Sequence, residues 1–166
     1  MDGNTDIELQ NASFAVDGVR ILSNLDVTFP AQKLTILTGP VASGKSSVLS
    51  AILGEMDLVE GAFHLGTQSF ALCSQEPIIR NHLSIQENIL FMLPMDKNSY
   101  QRVVHACALD VDFNEFQNGD QGLAAGLSGG QRARVALARA IYADTDIVLL
   151  DVKYLGGISP SSEMLS

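Results

Sequence analysis

The stretch Gly39-Pro40-Val41-Ala42-Ser43-Gly44-Lys45-Ser46 constrains this chain more than any other, because it lies between an apolar run and an apolar stripe of helical spacing. The run is Leu34-Thr35-Ile36-Leu37, and the stripe is Val48, Leu49, Ile52 and Leu53, ending at Gly54. The pattern predicts strand, glycine loop, helix. In such a loop Gly39 and Gly44 let successive backbone N–H groups turn inward, and the following helix adds its positive end, which makes an anion cradle. Lys45 supplies a point charge for the β and γ phosphates of a nucleotide, and the Ser46 hydroxyl is suited to Mg2+. Pro40, Val41, Ala42 and Ser43 complete the binding stretch, and Ser47 is a candidate for a second phosphate contact or a helix contact.

A second constellation lies near the other end. Ile147-Val148-Leu149-Leu150 reads as a buried strand with Asp151 at its carboxyl end, where a carboxylate can hold Mg2+ through water. Open α/β sheets bind ligands outside the carboxyl ends of their strands, so Lys45 and Asp151 are expected to converge. Between the two, Leu127-Ser128-Gly129-Gly130-Gln131 precedes a helix predicted from about Gly129 to Tyr142, with Ser128 as its cap. Ser128, Gly129 and Gly130 thereby form a second anion-binding nest. Arg132, Arg134 and Arg139 on that helix are expected to be solvated or salt-bridged. His64, His82 and His105 carry no metal-ligand spacing and are expected to be structural.

The remaining pattern fills in an α/β domain. Ile7 and Leu9 alternate with polar residues, as do Leu25, Val27 and Phe29, which predicts antiparallel strands around an Asp17-Gly18 turn. Ala62 to Leu65 and Ser69 to Cys73 are two further strand candidates, leading to Gln75-Glu76-Pro77. Ser84-Ile85-Gln86-Glu87 is a capping-box pattern for a helix through Leu90, and Tyr100, Val103, Val104 and Cys107 form the apolar face of another.

Composition limits the alternatives. At 166 residues and 46% hydrophobic, the chain is sized for one domain with a core, and no apolar run reaches the ~20 residues needed to cross a bilayer. The N-terminus has no signal-peptide pattern, so a soluble, cytosolic chain is expected. A net charge of -9 argues against nucleic acid as partner. Cys73 and Cys107 are too far apart for metal-ligand spacing and read as buried thiols in a reducing compartment.

On these motifs the stretch 6–151 resembles the nucleotide-binding domain of an ATP-binding-cassette (ABC) transporter, since Ser-Gly-Gly-Gln belongs to that family and to little else. The glycine loop continued through Ser47-Val48-Leu49, Gln86-Glu87-Asn88-Ile89-Leu90-Phe91, and Ala106-Cys107-Ala108-Leu109 look like the first such domain of a multidrug-resistance-associated, C-subfamily exporter, with a fungal source the best guess. The resemblance implies a P-loop NTPase fold of the ABC type: an N-terminal antiparallel β subdomain, a RecA-like core and a helical signature subdomain. It implies ATP and Mg2+ as cofactors, and a second nucleotide-binding domain and transmembrane domains as partners at the cytosolic face of a membrane. Ser128, Gly129, Gly130 and Gln131 would then serve nucleotide bound by the partner domain. Gln75 resembles the glutamine that touches Mg2+ or the attacking water, which puts it with Lys45 as catalytic and with Ser46 and Asp151 as metal-binding.

The departures carry equal weight. Val152 stands where the family places an acidic residue to polarise the attacking water, and Lys153 to Ser166 contain no counterpart of the D-loop or switch histidine. The C-terminal part of the core is therefore expected to be missing, leaving unpaired inner strand edges, and 152–166 to be a disordered tail arising from an incomplete gene model. The chain is expected to bind MgATP weakly with little or no turnover. A noncatalytic ATP-binding module that pairs with a competent domain is the second reading, and a soluble cassette ATPase of DNA repair or translation is a third, disfavoured by the charge. Val16 and Phe14 stand near the family's adenine-stacking position, and neither is assigned that role.

Overall fold

The Asp17-Gly18 step folds as the sequence predicts. With φ of 50° and 77°, both residues are left-handed, which is the geometry of a type I′ hairpin turn and matches the twist of the strands it joins. In the computed structural model, which describes residues 7–66 and 69–151, this turn connects β1 (Ile7–Val16) to β2 (Val19–Phe29). Two compact units divide the chain, one up to Phe70 and one from Ala71.

In the first unit, β1 is the middle strand of an antiparallel sheet ordered β2-β1-β3, with β3 at Asp57–Leu65. β3 begins earlier than the expected Ala62, because its first half pairs with Phe14 and Ala15 across a bulge. Gly61 makes that bulge possible. It takes φ +80°, and a Cβ there would collide with the Asn11 carbonyl. The bulges also break the alternation of β1, so Ala12, Ser13, Phe14 and Ala15 are all buried in succession. Ser13 remains satisfied by accepting the Asn24 N–H at 3.0 Å. Helix α1 (Lys45–Ile52) lends Ala51 to a core of Leu9, Ala12, Phe14 and Leu22, and Phe14 meets Phe63 edge to face at 5.9 Å. Phe14 is thus committed to the core. α1 ends in a Schellman motif, with Gly54 N–H donating to Ala51 O at 3.1 Å and Glu55 N–H to Ser50 O at 2.9 Å.

One expected strand is absent. Leu34 to Leu37 adopts no regular structure and pairs with no strand among the described residues, and Ile36 is 70% exposed. The apolar run has the composition of an inner strand, but ladder hydrogen bonds need a neighbour on the same sheet, and the three strands of this unit's sheet are joined to one another elsewhere.

The second unit begins within β4 (Phe70–Cys73), which pairs with β5 (Ile147–Leu150) as a two-stranded sheet. Around it stand α2 (Ile85–Leu90), α3 (Lys97–Ala106), α4 (Leu109–Glu115) and α5 (Gly129–Tyr142). Their core includes Cys73, Ile85, Ile89, Val103, Cys107, Leu109, Val135 and Ala138. Both cysteines are free and buried, as expected. α2 starts with a complete capping box. Glu87 N–H donates to Ser84 Oγ at 3.1 Å, and Ser84 N–H donates to the Glu87 carboxylate at 2.7 Å. α3 is capped by Asp96, which accepts from Asn98 and Ser99 N–H. The Tyr142 hydroxyl, at the end of α5, donates to Pro94 O at 2.7 Å and accepts the Asp96 N–H at 2.8 Å. α4, unexpected from the sequence, opens without a side-chain cap at Ala108, whose φ is 53°. Among the described residues no helix is long and apolar enough to cross a membrane. Val152 to Ser166, the expected disordered tail, lies outside the described residues.

Candidate functional site

The glycine loop is built as its sequence requires. Gly44 is the residue before α1 at φ +89°, and Ala42 is also left-handed at +64°, so the backbone turns back on itself ahead of the helix. Ser43 N–H closes the loop onto Pro40 O at 3.3 Å. A Cβ on Gly39 would lie 2.8 Å from Ser43 Oγ, so glycine is the residue that fits beside that hydroxyl. The first backbone hydrogen bond of α1 runs from Val48 N–H to Gly44 O at 3.0 Å, which sets the N–H groups of Lys45, Ser46 and Ser47 at the open end of the helix. The Lys45 ammonium folds over the loop and donates to Pro40 O at 2.7 Å, Gly39 O at 3.0 Å and Ser43 Oγ at 3.4 Å. Val41, Ser43 and Ser46 are exposed. One cation, three helix-opening amides and an exposed hydroxyl are a donor set for a polyphosphate with a hard metal ion.

The other predicted residues lie in the second unit. Asp151 directly follows β5 and donates its N–H to Cys73 O at 2.9 Å, while Gln75 follows β4 by two residues and is exposed. The β4-β5 ladder therefore brings Gln75 and Asp151 to one end of the same sheet. Among the described residues no cluster of three His, Cys, Asp or Glu forms a metal site by itself.

Ser128 caps α5 through a second complete capping box. Gln131 N–H donates to Ser128 Oγ at 3.3 Å, and Ser128 N–H donates to Gln131 Oε1 at 2.9 Å. Gln131 Nε2 in turn donates to Asp112 Oδ1 at 3.2 Å, so its side chain braces the turn. Ser128, Gly129 and Gly130 are exposed ahead of the helix. Asp112 is buried, and Arg134 clamps it with Nε at 3.0 Å and Nη2 at 2.8 Å. That ion pair is the expected role of Arg134.

Arg139 departs from expectation: it is half-buried, and among the described residues its guanidinium pairs with no carboxylate. Its guanidinium donates to Asn88 O at 2.8 Å, Ile78 O at 2.8 Å and Asn88 Oδ1 at 3.0 Å, and lies 4.7 Å from the Phe91 ring centre. Burial first, and then the charge of Arg80, pushes its pKa below the ordinary arginine value. Arg132 likewise donates to Leu127 O and Asn81 Oδ1. Asn88, fully buried, was legible only as part of a family-like stretch. Its Oδ1 also accepts Arg80 N–H at 2.9 Å, and its Nδ2 donates to Arg80 O and Ser84 O. A buried amide between two arginines has no short-range signature, because its partners lie 8 and 51 residues away.

A family model described as ABC transporter matches residues 22–152. ABC multidrug transporter B of Aspergillus fumigatus is 42% identical over 158 residues, covering 90% of this chain and 11% of the relative. ATP-binding cassette transporter abc4 of Schizosaccharomyces pombe is 43% identical over 137 residues, 78% of this chain and 9% of the relative. Human ATP-binding cassette sub-family C member 3 is 43% identical over 145 residues, 84% of this chain and 9% of the relative. The chain thus spans a small fraction of the length of the curated relatives it matches.

Proposed function

The chain belongs to the ABC transporter family, and from that premise we propose that residues 6–151 are the ATP-binding part of a C-subfamily, fungal exporter of the multidrug-resistance-associated type. Its partners would be a second nucleotide-binding domain and transmembrane domains at the cytosolic face of a membrane. The observation that carries the reading is the glycine loop, where the Lys45 ammonium sits on Gly39 O and Pro40 O beside the open end of α1.

In this reading Lys45 and the N–H groups of Gly44, Lys45, Ser46 and Ser47 hold and neutralise the phosphates, with Ser43 lining the loop. Ser46, Gln75 and Asp151 would hold Mg2+, whose charge offsets that of the β and γ oxygens when it is bound. Ser128, Gly129 and Gly130 present a second nest to nucleotide on the partner domain, and Gln131 holds that nest in shape through the Ser128 cap. Gln75 would touch either that Mg2+ or the attacking water.

Titration calorimetry with MgATP tests the reading. Binding is expected to be weak and to fall by at least tenfold in Lys45→Ala, and absence of heat from well-folded wild-type protein would sink it. A second reading, a noncatalytic ATP-binding module, is favoured by Val152 in place of the acidic residue next to Asp151. Loss of a water-polarising base costs several kcal/mol of barrier, on the order of 10²–10⁴ in rate, while leaving binding in place. Transporter-like turnover by this chain would refute the second reading, and nucleotide-dependent association with a competent domain would favour it.

A further inference from the structure

Two side chains of α5 reach the segment after Gln75: Arg132 donates to the Asn81 side chain at 2.8 Å, and Arg139 holds the backbone itself. Arg139 sits on the helix that Ser128 caps, and its planar fork reaches Ile78 O, three residues beyond Gln75, while also holding Asn88 through main chain and side chain. Asn88 passes the constraint on, gripping Arg80 from both its N–H and its carbonyl and anchoring itself to Ser84 O inside the α2 capping box. The Phe91 ring lies within 4.9 Å of both the Arg80 and Arg139 guanidinium carbons. The segment 78–80 has no regular secondary structure of its own and Ile78 is 80% exposed. Ile79 buries its side chain in the core, and the backbone on either side of it is held by Arg139 at Ile78 O and by Asn88 at Arg80, without a ladder.

We propose that Arg139 is a positioning residue that sets the path of the chain leaving Gln75, so that the placement of this glutamine follows the signature helix α5. The role assigned to Gln75 rests on the nucleotide-binding reading above; the mechanical link does not. Lysine keeps the charge but cannot replace the fork, because a single ammonium cannot meet Ile78 O, Asn88 O and Asn88 Oδ1 in one plane.

Hydrogen exchange on the nucleotide-free, full chain tests the link in Arg139→Lys. The Arg80 amide, which donates to Asn88 Oδ1, is expected to exchange at least tenfold faster, while the Cys107 amide at the end of α3, bonded to Val103 O, changes less than twofold. A general loss of stability would raise both by the same factor, and that result, or an unchanged Arg80 amide, overturns the proposal. Should Arg139→Lys fail to fold, Phe91→Leu removes the ring from both guanidinium groups and leaves the hydrogen bonds. It is expected to raise Arg80 exchange severalfold without moving Cys107, and equal changes at the two amides again overturn the proposal. MgATP then tests the consequence for Gln75. Its amide signal is expected to shift in wild type and to lose that response in Arg139→Lys, and an undiminished response in the variant refutes the coupling. If calorimetry shows no nucleotide binding at all, the function proposed above fails, and the nucleotide-free exchange still decides the link.

Discussion

At the scale of single residues, two glycines with nearly the same backbone angle have different reasons to be glycine. Gly18 and Gly61 lie at φ +77° and +80°, but a Cβ on Gly18 would meet nothing within 4 Å, whereas one on Gly61 would run into the Asn11 and Gln10 carbonyls. Gly18→Ala therefore incurs left-handed strain alone, about 1 kcal/mol. Gly61→Ala adds a backbone collision in the middle of β1-β3, for about 3 kcal/mol in all. Urea unfolding of the two variants checks the difference, and equal losses would mean that the bulge relaxes around the new methyl. Cys107 offers a second residue-scale test. Burial first, and the neighbouring Cys73 second, push its thiol up to about 12, so almost no thiolate exists at neutral pH. In the native state at pH 8, a disulfide reagent is expected to leave Cys107 unmodified and to react with it at the rate of unfolding.

The elements show which parts of a fold are written locally. The Ser84–Glu87 capping box and the Ser128 cap were readable because donor and acceptor lie three residues apart, whereas the return bond from Ser128 N–H to Gln131, which completes the second box, was not read. The hairpin turn and the glycine loop were readable for the same reason. α4 was not, because its first residue follows a left-handed Ala108 that no cap announces, and the Arg139 network was not, because it is closed by partners distant in sequence. Local caps also give local predictions. Ser128→Ala should cost about 1 kcal/mol and fray the start of α5, visible as faster exchange of the Gln131 amide. Glu87 gives a pH dependence of known sign. Hydrogen bonds from the Ser84 N–H and hydroxyl hold its carboxyl below the ordinary 4.5. A depressed carboxylate contributes stability that is complete above its unfolded value and is lost as pH falls toward the folded one. Glu87→Gln can still accept from Ser84, so it should differ little from wild type at pH 7 and lose less stability than wild type below about pH 4. Parallel acid-unfolding curves for the two proteins would place the acid-sensitive group elsewhere.

For the whole molecule, the decisive feature is an apolar segment that its own unit does not pair. Leu34, Ile36 and Leu37 are 47%, 70% and 38% exposed, although their composition belongs to a strand buried on both faces. Motif reading recognised the run as a strand, because apolar composition is a local property, but pairing depends on which other strand lies alongside, and no residue within Leu34 to Leu37 encodes that. The consequence is physical. A β-prone, uncharged run that pairs with no strand among the described residues is a template for edge-to-edge association with another chain. Ile36→Lys places a charge in that run at a position that packs against little, so monomer stability should change by no more than about 0.5 kcal/mol. Self-association, in contrast, should fall, because pairing would bury the new ammonium without a partner. Sedimentation velocity over a concentration series, with urea unfolding alongside, separates the two effects. A variant that associates as readily as wild type would place the sticky surface elsewhere, and one that loses several kcal/mol would show that Ile36 already contributes to a core.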